Sequence, residues 1–182
     1  MPLQGYTRMF ERMLSHPNIQ ILLNADYREV KTLVPFKELI YTGPVDEYFD
    51  YCFGRLPYRS LQFKWETRDV AIAQEAPVIN YPNDHLYRRV TEMKYLSGQE
   101  HPKTSLVYEF PTDQGDPYYP VPTSENAALY AKYQELAEST SEVKFLGRLG
   151  TYKYYNMDQV VAQALAVYSR IAGQPRREIA AA

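Results

Sequence analysis

Apolar residues follow three rhythms along this chain, and each rhythm predicts a kind of element. The first is helical. In Gly5–Leu14, Met9, Phe10, Met13 and Leu14 share one face, and His16-Pro17-Asn18 stops the pattern. Asp46–Phe53 also has helical spacing. Ser124–Ser139 predicts an amphipathic helix capped by Thr123 or Ser124 and buried along Leu129, Tyr133 and Leu136. In MDQVVAQALAVYSRIA, Val160, Val161, Ala164, Leu165, Tyr168 and Ile171 fall on one face, and Asn156 stands at the N-cap.

The second rhythm is a short unbroken apolar run. Ile19–Leu23, Glu38–Thr42 and Val143–Leu146 read as strands buried on both faces, the kind found in parallel sheets between helices. The third is alternation. From Leu56 to Pro122, strand-like segments recur between turn signals: YRSLQFKWET, APVINYP, YRRVTEMKYL, SLVYEFP and YYPVP. In Tyr58–Trp65 the set Ser60, Gln62, Lys64 faces away from Leu61, Phe63, Trp65, the pattern of a half-buried strand. Pro77, Pro82, Pro102, Pro111, Pro117, Pro120 and Pro122 sit where a missing N–H is tolerated. The fold class is therefore α+β, with an antiparallel sheet of about five strands and flanking helices. The tail Gly173–Ala182 reads as frayed.

Composition narrows the chemistry. The 182 residues, 45% apolar and 23% charged, fit one compact unit with a sizeable core. Within it, 1–55 reads as helix and strands, 56–122 as the antiparallel sheet, and 123–182 as helix, strand and helix. A net charge of −2 gives no general pull toward nucleic acid. The single cysteine, Cys52, excludes a disulfide framework and a cysteine-based metal site, and is compatible with a reducing cytoplasm. His16, His85 and His101 are scattered and read as loop residues. No apolar run is long enough for a membrane span, so the expected location is cytoplasmic. The glycines, at 5, 43, 54, 98, 115, 147, 150 and 173, form neither G-x-G-x-x-G nor a P-loop. Eighteen tyrosines suit a sugar-nucleotide or flavin cleft, and equally a strand-rich core.

The stretch FLGRLGTYKYYNMDQ, Phe145–Gln159, reads as strand, glycine turn, aromatic loop and helix N-terminus. Backbone N–H groups there, beside Arg148 and the phenols of Tyr152, Tyr154 and Tyr155, suit a phosphorylated ligand. An ordinary strand-to-helix connection with the tyrosines packed as core is the other reading of the same residues.

GRLxxYKYYxM resembles the C-terminal flavin-binding segment of the UDP-galactopyranose mutase family. GYTRMFERML, IYTGPVDEYFDYCFGRLPYRSL, VINYP, YRRVTEMKYL and DPYYPVP follow the family in order, so the resemblance runs from about Gly5 to Ile171. Family members also carry an N-terminal dinucleotide-binding unit with a glycine-rich strand–turn–helix, then a helical region with a mobile loop. Neither is recognisable in this sequence. In the family, strands like the three short runs complete the sheet of the dinucleotide-binding domain. Without their neighbours their edges would be unpaired. The expectation is a homodimer, a separate N-terminal FAD-binding chain, or marginal stability, unless the strands add to the chain's own sheet.

The resemblance implies an isomerase that interconverts UDP-galactopyranose and UDP-galactofuranose through a sugar–flavin N5 adduct, with FAD as cofactor in its reduced form. It implies no catalytic side chain and no metal, and this chain by itself is expected to be inactive. Residue by residue, Arg89 matches the arginine on the substrate's diphosphate, Tyr119 and Tyr154 the phenols on the same group, and Asn80 a position near the nucleotide. Arg88 and Arg89 are strand neighbours and point to opposite faces, so only one can face a cleft. Arg148 matches the arginine on the cofactor, and Asn156, Met157, Asp158, Gln159 and Val160 the turn against the flavin. Position 156 is commonly Asp in the family, so the Asn keeps the N-cap and drops a charge. From the residues alone, Arg89 can equally be a sheet-surface arginine paired with Glu92 or Glu109, and Tyr118 and Tyr119 core rings of a rigid edge strand. The alternative function is a non-catalytic remnant or a sugar-nucleotide-binding module, distinguished by flavin content.

Overall fold

A computed structural model describes residues 1–173 of the chain. The frayed tail expected beyond Gly173 lies outside the described residues. In chain order the first elements are α1 (Gly5–Met13), α2 (Tyr27–Val30), β1 (Leu39–Tyr41), α3 (Val45–Tyr48), β2 (Tyr58–Arg68), β3 (Val78–Asn80) and β4 (Arg89–Glu92). They are followed by α4 (Met93–Ser97), β5 (Thr104–Thr112), β6 (Tyr119–Pro120), α5 (Ser124–Ser139), β7 (Val143–Phe145), α6 (Gly147–Gly150) and α7 (Met157–Ile171). The strands form a five-stranded antiparallel sheet, β3-β4-β5-β2-β6, and a parallel pair, β1-β7, which makes the fold α+β. All five alternating segments contribute a strand to the larger sheet. No helix among the described residues is long and apolar enough to cross a membrane.

The chain divides into two compact units. One comprises Met1–Pro35 with Leu61–Thr112, the other Phe36–Ser60 with the chain from Asp113 onward.

In the first unit, β4 is the hinge of the ladder. It pairs with β3 (Asn80 opposite Arg89) and with β5 (Arg89 opposite Glu109, Glu92 opposite Leu106). Val90, Leu106 and Val107 are buried there. YRRVTEMKYL was expected to be strand throughout, but it is extended only as far as Glu92; Met93–Ser97 coil into α4, which Gly98 ends with φ +68°. Glu92 marks the switch. Its fully buried carboxylate accepts the Gln74 N–H at 2.9 Å, the Ala73 N–H at 3.1 Å and the Thr104 hydroxyl at 2.6 Å. Burial pushes this carboxyl up, but the Thr104, Ala73 and Gln74 donors outweigh it and hold the carboxyl below the usual glutamate range. A carboxyl depressed on folding contributes stability above its unfolded pKa and loses it as pH falls through the folded value. Acid titration of unfolding should therefore show a stability loss below about pH 4. Glu92→Gln should remove that component, as a flatter denaturation midpoint against pH.

Three further expectations fail. Ile19–Leu23 is not a strand: it is irregular, with Ile19, Ile21, Leu22 and Leu23 exposed. An apolar run becomes a strand only where a neighbour pairs with it, and among the described residues none does. In β2, Phe63 and Trp65 are exposed whereas Ser60 is buried, its hydroxyl donating to the Asp116 carbonyl. Alternation reports which side of a strand is apolar, not what covers it. Likewise α1 forms, yet Phe10, Met13 and Leu14 on its apolar face are exposed.

In the second unit, β1 and β7 run parallel with Leu39, Ile40 and Tyr41 opposite Val143, Lys144 and Phe145. The core beside them is Val45, Leu56, Tyr133 and Tyr152, flanked by Phe49, Tyr58, Leu129, Tyr130 and Phe145. Phe145 meets Tyr41 and Tyr48 edge-on, at 5.8 and 5.0 Å, and stacks with Phe49 at 5.6 Å. The pair was expected to be covered on both faces, but Ile40 is exposed. The helix expected over Asp46–Phe53 stops at Tyr48, because Asp50 and Tyr51 both take positive φ. Asp46 is buried at its first turn and accepts the Leu56 N–H at 2.9 Å; burial pushes its carboxyl up. Thr123 caps α5 by accepting the Asn126 N–H at 3.2 Å.

α7 starts after Asn156 as expected, with the Gln159 side chain accepting the Asn156 N–H at 2.8 Å. The face it buries is not the expected one. Val167 is buried and Val160 half-buried, and the Gln163 amide oxygen accepts the Gly147 N–H at 2.8 Å. Val161, Leu165, Tyr168 and Ile171 are exposed. The helix has two apolar sides, and periodicity alone picks the wider.

Candidate functional site

The strand-to-helix turn after β7 is built on two glycines. Gly147 has φ +78°, open to glycine at little cost. A Cβ on Gly150 would lie 3.0 Å from the Tyr41 carbonyl oxygen, so β1 and α6 can approach only because that side chain is absent. Gly150→Ala should lower stability by about 1–3 kcal/mol, read as a chemical denaturation midpoint.

This close turn sets Arg148. Its Nη1 donates to the Tyr118 carbonyl at 3.1 Å and its Nη2 to the Tyr155 carbonyl at 2.6 Å. Held at both ends, the guanidinium lies over two phenol rings, 4.7 Å from the centre of Tyr119 and 4.9 Å from that of Tyr154. Those rings stack on each other at 5.7 Å with 16° between planes. A fixed cation on two aromatic faces is a stable and oriented arrangement. Tyr154 is 60% exposed, so this cluster is open to a ligand.

The tyrosines of the aromatic loop separate by role. Tyr152, with φ +43°, is core: its hydroxyl donates to the Pro57 carbonyl at 2.6 Å and accepts the Val121 N–H at 3.3 Å. Tyr154 belongs to the open stack. Tyr155 supplies its carbonyl to Arg148, and Lys153 lies 5.6 Å from its ring. Within this stretch Tyr152 packs as core and Tyr154 lies open. Main-chain carbonyls of Tyr118 and Tyr155 carry no sequence signal, and their part was missed.

Next in the chain is the first turn of α7. Its backbone donors include the Asp158 N–H, and Met157 is exposed. The Asp158 carboxylate complements the helix dipole and opposes an anion at this turn. The arrangement thus fits the uncharged polar edge of an aromatic cofactor better than a phosphate. Asn156, Met157, Asp158, Gln159 and Val160 are contiguous here, in the unit that holds Arg148, Tyr119 and Tyr154.

Asn80 and Arg89 lie in the other unit, as direct cross-strand neighbours. Arg89 Nε donates to Asn80 Oδ1 at 3.1 Å, and an Arg89 Nη is 3.7 Å from Glu109 on the next strand. Glu92, the other acid considered for Arg89, is spent on the Ala73–Gln74 loop. Half-exposed between an amide and a carboxylate, Arg89 keeps donors for a further anion. Among the described residues no His, Cys, Asp and Glu group could hold a metal ion.

The family model described as UDP-galactopyranose mutase matches residues 1–154. The chain is 38% identical to UDP-galactopyranose mutase of Mycoplasma pneumoniae over 184 residues, covering 91% of this chain and 46% of that protein. It is 40% identical to a probable UDP-galactopyranose mutase of Klebsiella pneumoniae, over 91% of this chain and 44% of the relative. It is also 35% identical to dTDP-fucopyranose mutase of Escherichia coli, over 90% and 46%. The chain spans about half the length of the curated relatives it matches. On the matched residues and the ordered motifs, it belongs to the UDP-galactopyranose mutase family.

Proposed function

We propose that this chain is the C-terminal, sugar-nucleotide-side portion of a flavin-dependent mutase that interconverts UDP-galactopyranose and UDP-galactofuranose in the cytoplasm. The observation that carries the reading is the cluster of Tyr119 and Tyr154 stacked under a pinned Arg148. FAD, when bound, supplies the covalent chemistry at the sugar. Arg148 and the first turn of α7, Asn156 to Val160, are the residues of this chain that would hold it.

The side chains do the binding and orienting. The phenols of Tyr119 and Tyr154 donate to diphosphate oxygens, and the Arg148 charge against their rings favours an anion there. Holding UDP close after it leaves the sugar lets its return outpace hydrolysis. In the first unit, Arg89, oriented by Asn80, keeps donors for a nucleotide phosphate. Its neighbour Glu109 limits its effect: Arg89→Ala should weaken UDP binding only about tenfold, or about 1.4 kcal/mol. Titration calorimetry with UDP reads this. Unchanged affinity would return Arg89 to a sheet-surface role opposite Glu109. A second reading is a binding module that keeps the same cluster without turnover. Such a module would retain UDP but no flavin, so the visible spectrum after incubation with FAD and removal of excess separates the two.

A further inference from the structure

The turn that carries Arg148 is held from three sides. The Leu146 N–H donates to the Tyr41 carbonyl of β1 at 3.0 Å. The Gly147 carbonyl accepts the Thr151 N–H at 3.1 Å and the Thr151 hydroxyl at 2.7 Å. The Gly147 N–H reaches across to α7, where the Gln163 side-chain oxygen accepts it at 2.8 Å. These bonds are not equivalent. Gly147 opens α6, and the first N–H of a helix has no carbonyl within that helix to serve it. Gly147 is also buried, so without Gln163 its N–H would be left unsatisfied away from water. The Thr151 hydroxyl, by contrast, duplicates a bond that the Thr151 backbone already makes.

Arg148 is the next residue, and its guanidinium spans the Tyr118 and Tyr155 carbonyls over the rings of Tyr119 and Tyr154. We propose that Gln163 is a positioning residue for this cluster. It ties the Gly147–Arg148 turn to α7 and thereby sets the guanidinium on the two phenols, without itself touching a ligand. The helix is a firm anchor because Val167, about one turn beyond Gln163, is buried. The same helix begins with Asn156 to Val160, so α7 fixes the flavin-side turn and the nucleotide-side cluster together. The expected effect on UDP rests on the proposed function; the placement of Arg148 rests on the geometry of the turn alone.

The test uses three variants of the full chain. Gln163→Met keeps the length of the side chain and removes the acceptor, whereas Gln163→Glu keeps an acceptor oxygen. Thr151→Val, the control, removes the duplicate bond in the same turn. Two quantities are read: UDP affinity by titration calorimetry, and the Tyr119 and Tyr154 ring signals in NMR spectra of tyrosine-labelled protein. Gln163→Met is expected to move both ring signals as Arg148→Ala moves them, and to weaken UDP binding about fivefold. Gln163→Glu and Thr151→Val should keep the ring signals in place and stay within about twofold of the wild-type affinity. Wild-type ring signals in Gln163→Met would overturn the proposal, as would moved signals with undiminished affinity. So would a failure of Gln163→Glu to restore both, or an equal effect of Thr151→Val. Should circular dichroism show Gln163→Met unfolded, Gln163→Asn, which withdraws the acceptor by one methylene, gives the same two readings. Ring signals that move as expected in a chain that binds no UDP would sink the functional reading and leave the positioning role standing.

Discussion

Tyr133→Ala is expected to be the most destabilising single change in the second unit, at about 3–5 kcal/mol. Tyr133 is completely buried on α5. Its ring stacks with Phe49 at 6.3 Å and meets Phe53 edge-on at 5.3 Å. Its hydroxyl donates to the Gly54 carbonyl at 2.7 Å and accepts the Phe53 N–H at 3.0 Å. Truncation would leave a large cavity and two backbone groups without a partner. The milder Tyr133→Phe keeps the ring and should cost about 1–3 kcal/mol, from the orphaned Phe53 N–H and Gly54 carbonyl. Urea denaturation followed by circular dichroism reads both. Near-equal losses would mean that the cavity contributes little and the hydroxyl carries the effect.

Arg148→Ala is expected to have the largest effect on ligand binding, roughly 10- to 100-fold in UDP affinity, or about 1.4–2.7 kcal/mol. The change removes the cation that lies on Tyr119 and Tyr154, and frees the two carbonyls that fix the loop. Arg148→Lys keeps the charge but has no planar fork to span the Tyr118 and Tyr155 carbonyls. It should recover only part of the loss. Full rescue by Lys would mean that charge alone matters and the fixed geometry does not.

Much of this was legible in the sequence because local rules and tertiary packing agree. Thr123 and Asn156 start their helices, the prolines bound the strands, and all five alternating segments joined one sheet. Where the reading failed, the pattern was right about chemistry and silent about neighbours. Ile19–Leu23 is apolar enough for a buried strand but has no strand to pair with among the described residues. Phe63 and Trp65 mark the apolar side of β2, and α7 has a wide apolar side, yet these sides are exposed. Burial is a property of two surfaces, and a sequence describes one of them. The start of α4 at Met93 was hidden for another reason: it depends on Glu92 capturing N–H groups about twenty residues earlier in the chain. At the site, Arg148 and Tyr154 stood out by residue type. That Tyr152 is core and Tyr154 open could not be read, because both are phenols two residues apart.

The most direct test of the central claim is saturation-transfer NMR of UDP on the wild-type chain and on Arg148→Ala, irradiating the tyrosine ring protons. The account predicts transfer to UDP that saturates, is competed by UDP-galactose, and falls at least tenfold in the variant. No transfer from the wild type, or equal transfer from both, would contradict the assignment of Tyr119 and Tyr154, positioned by Arg148, as the nucleotide-holding pair.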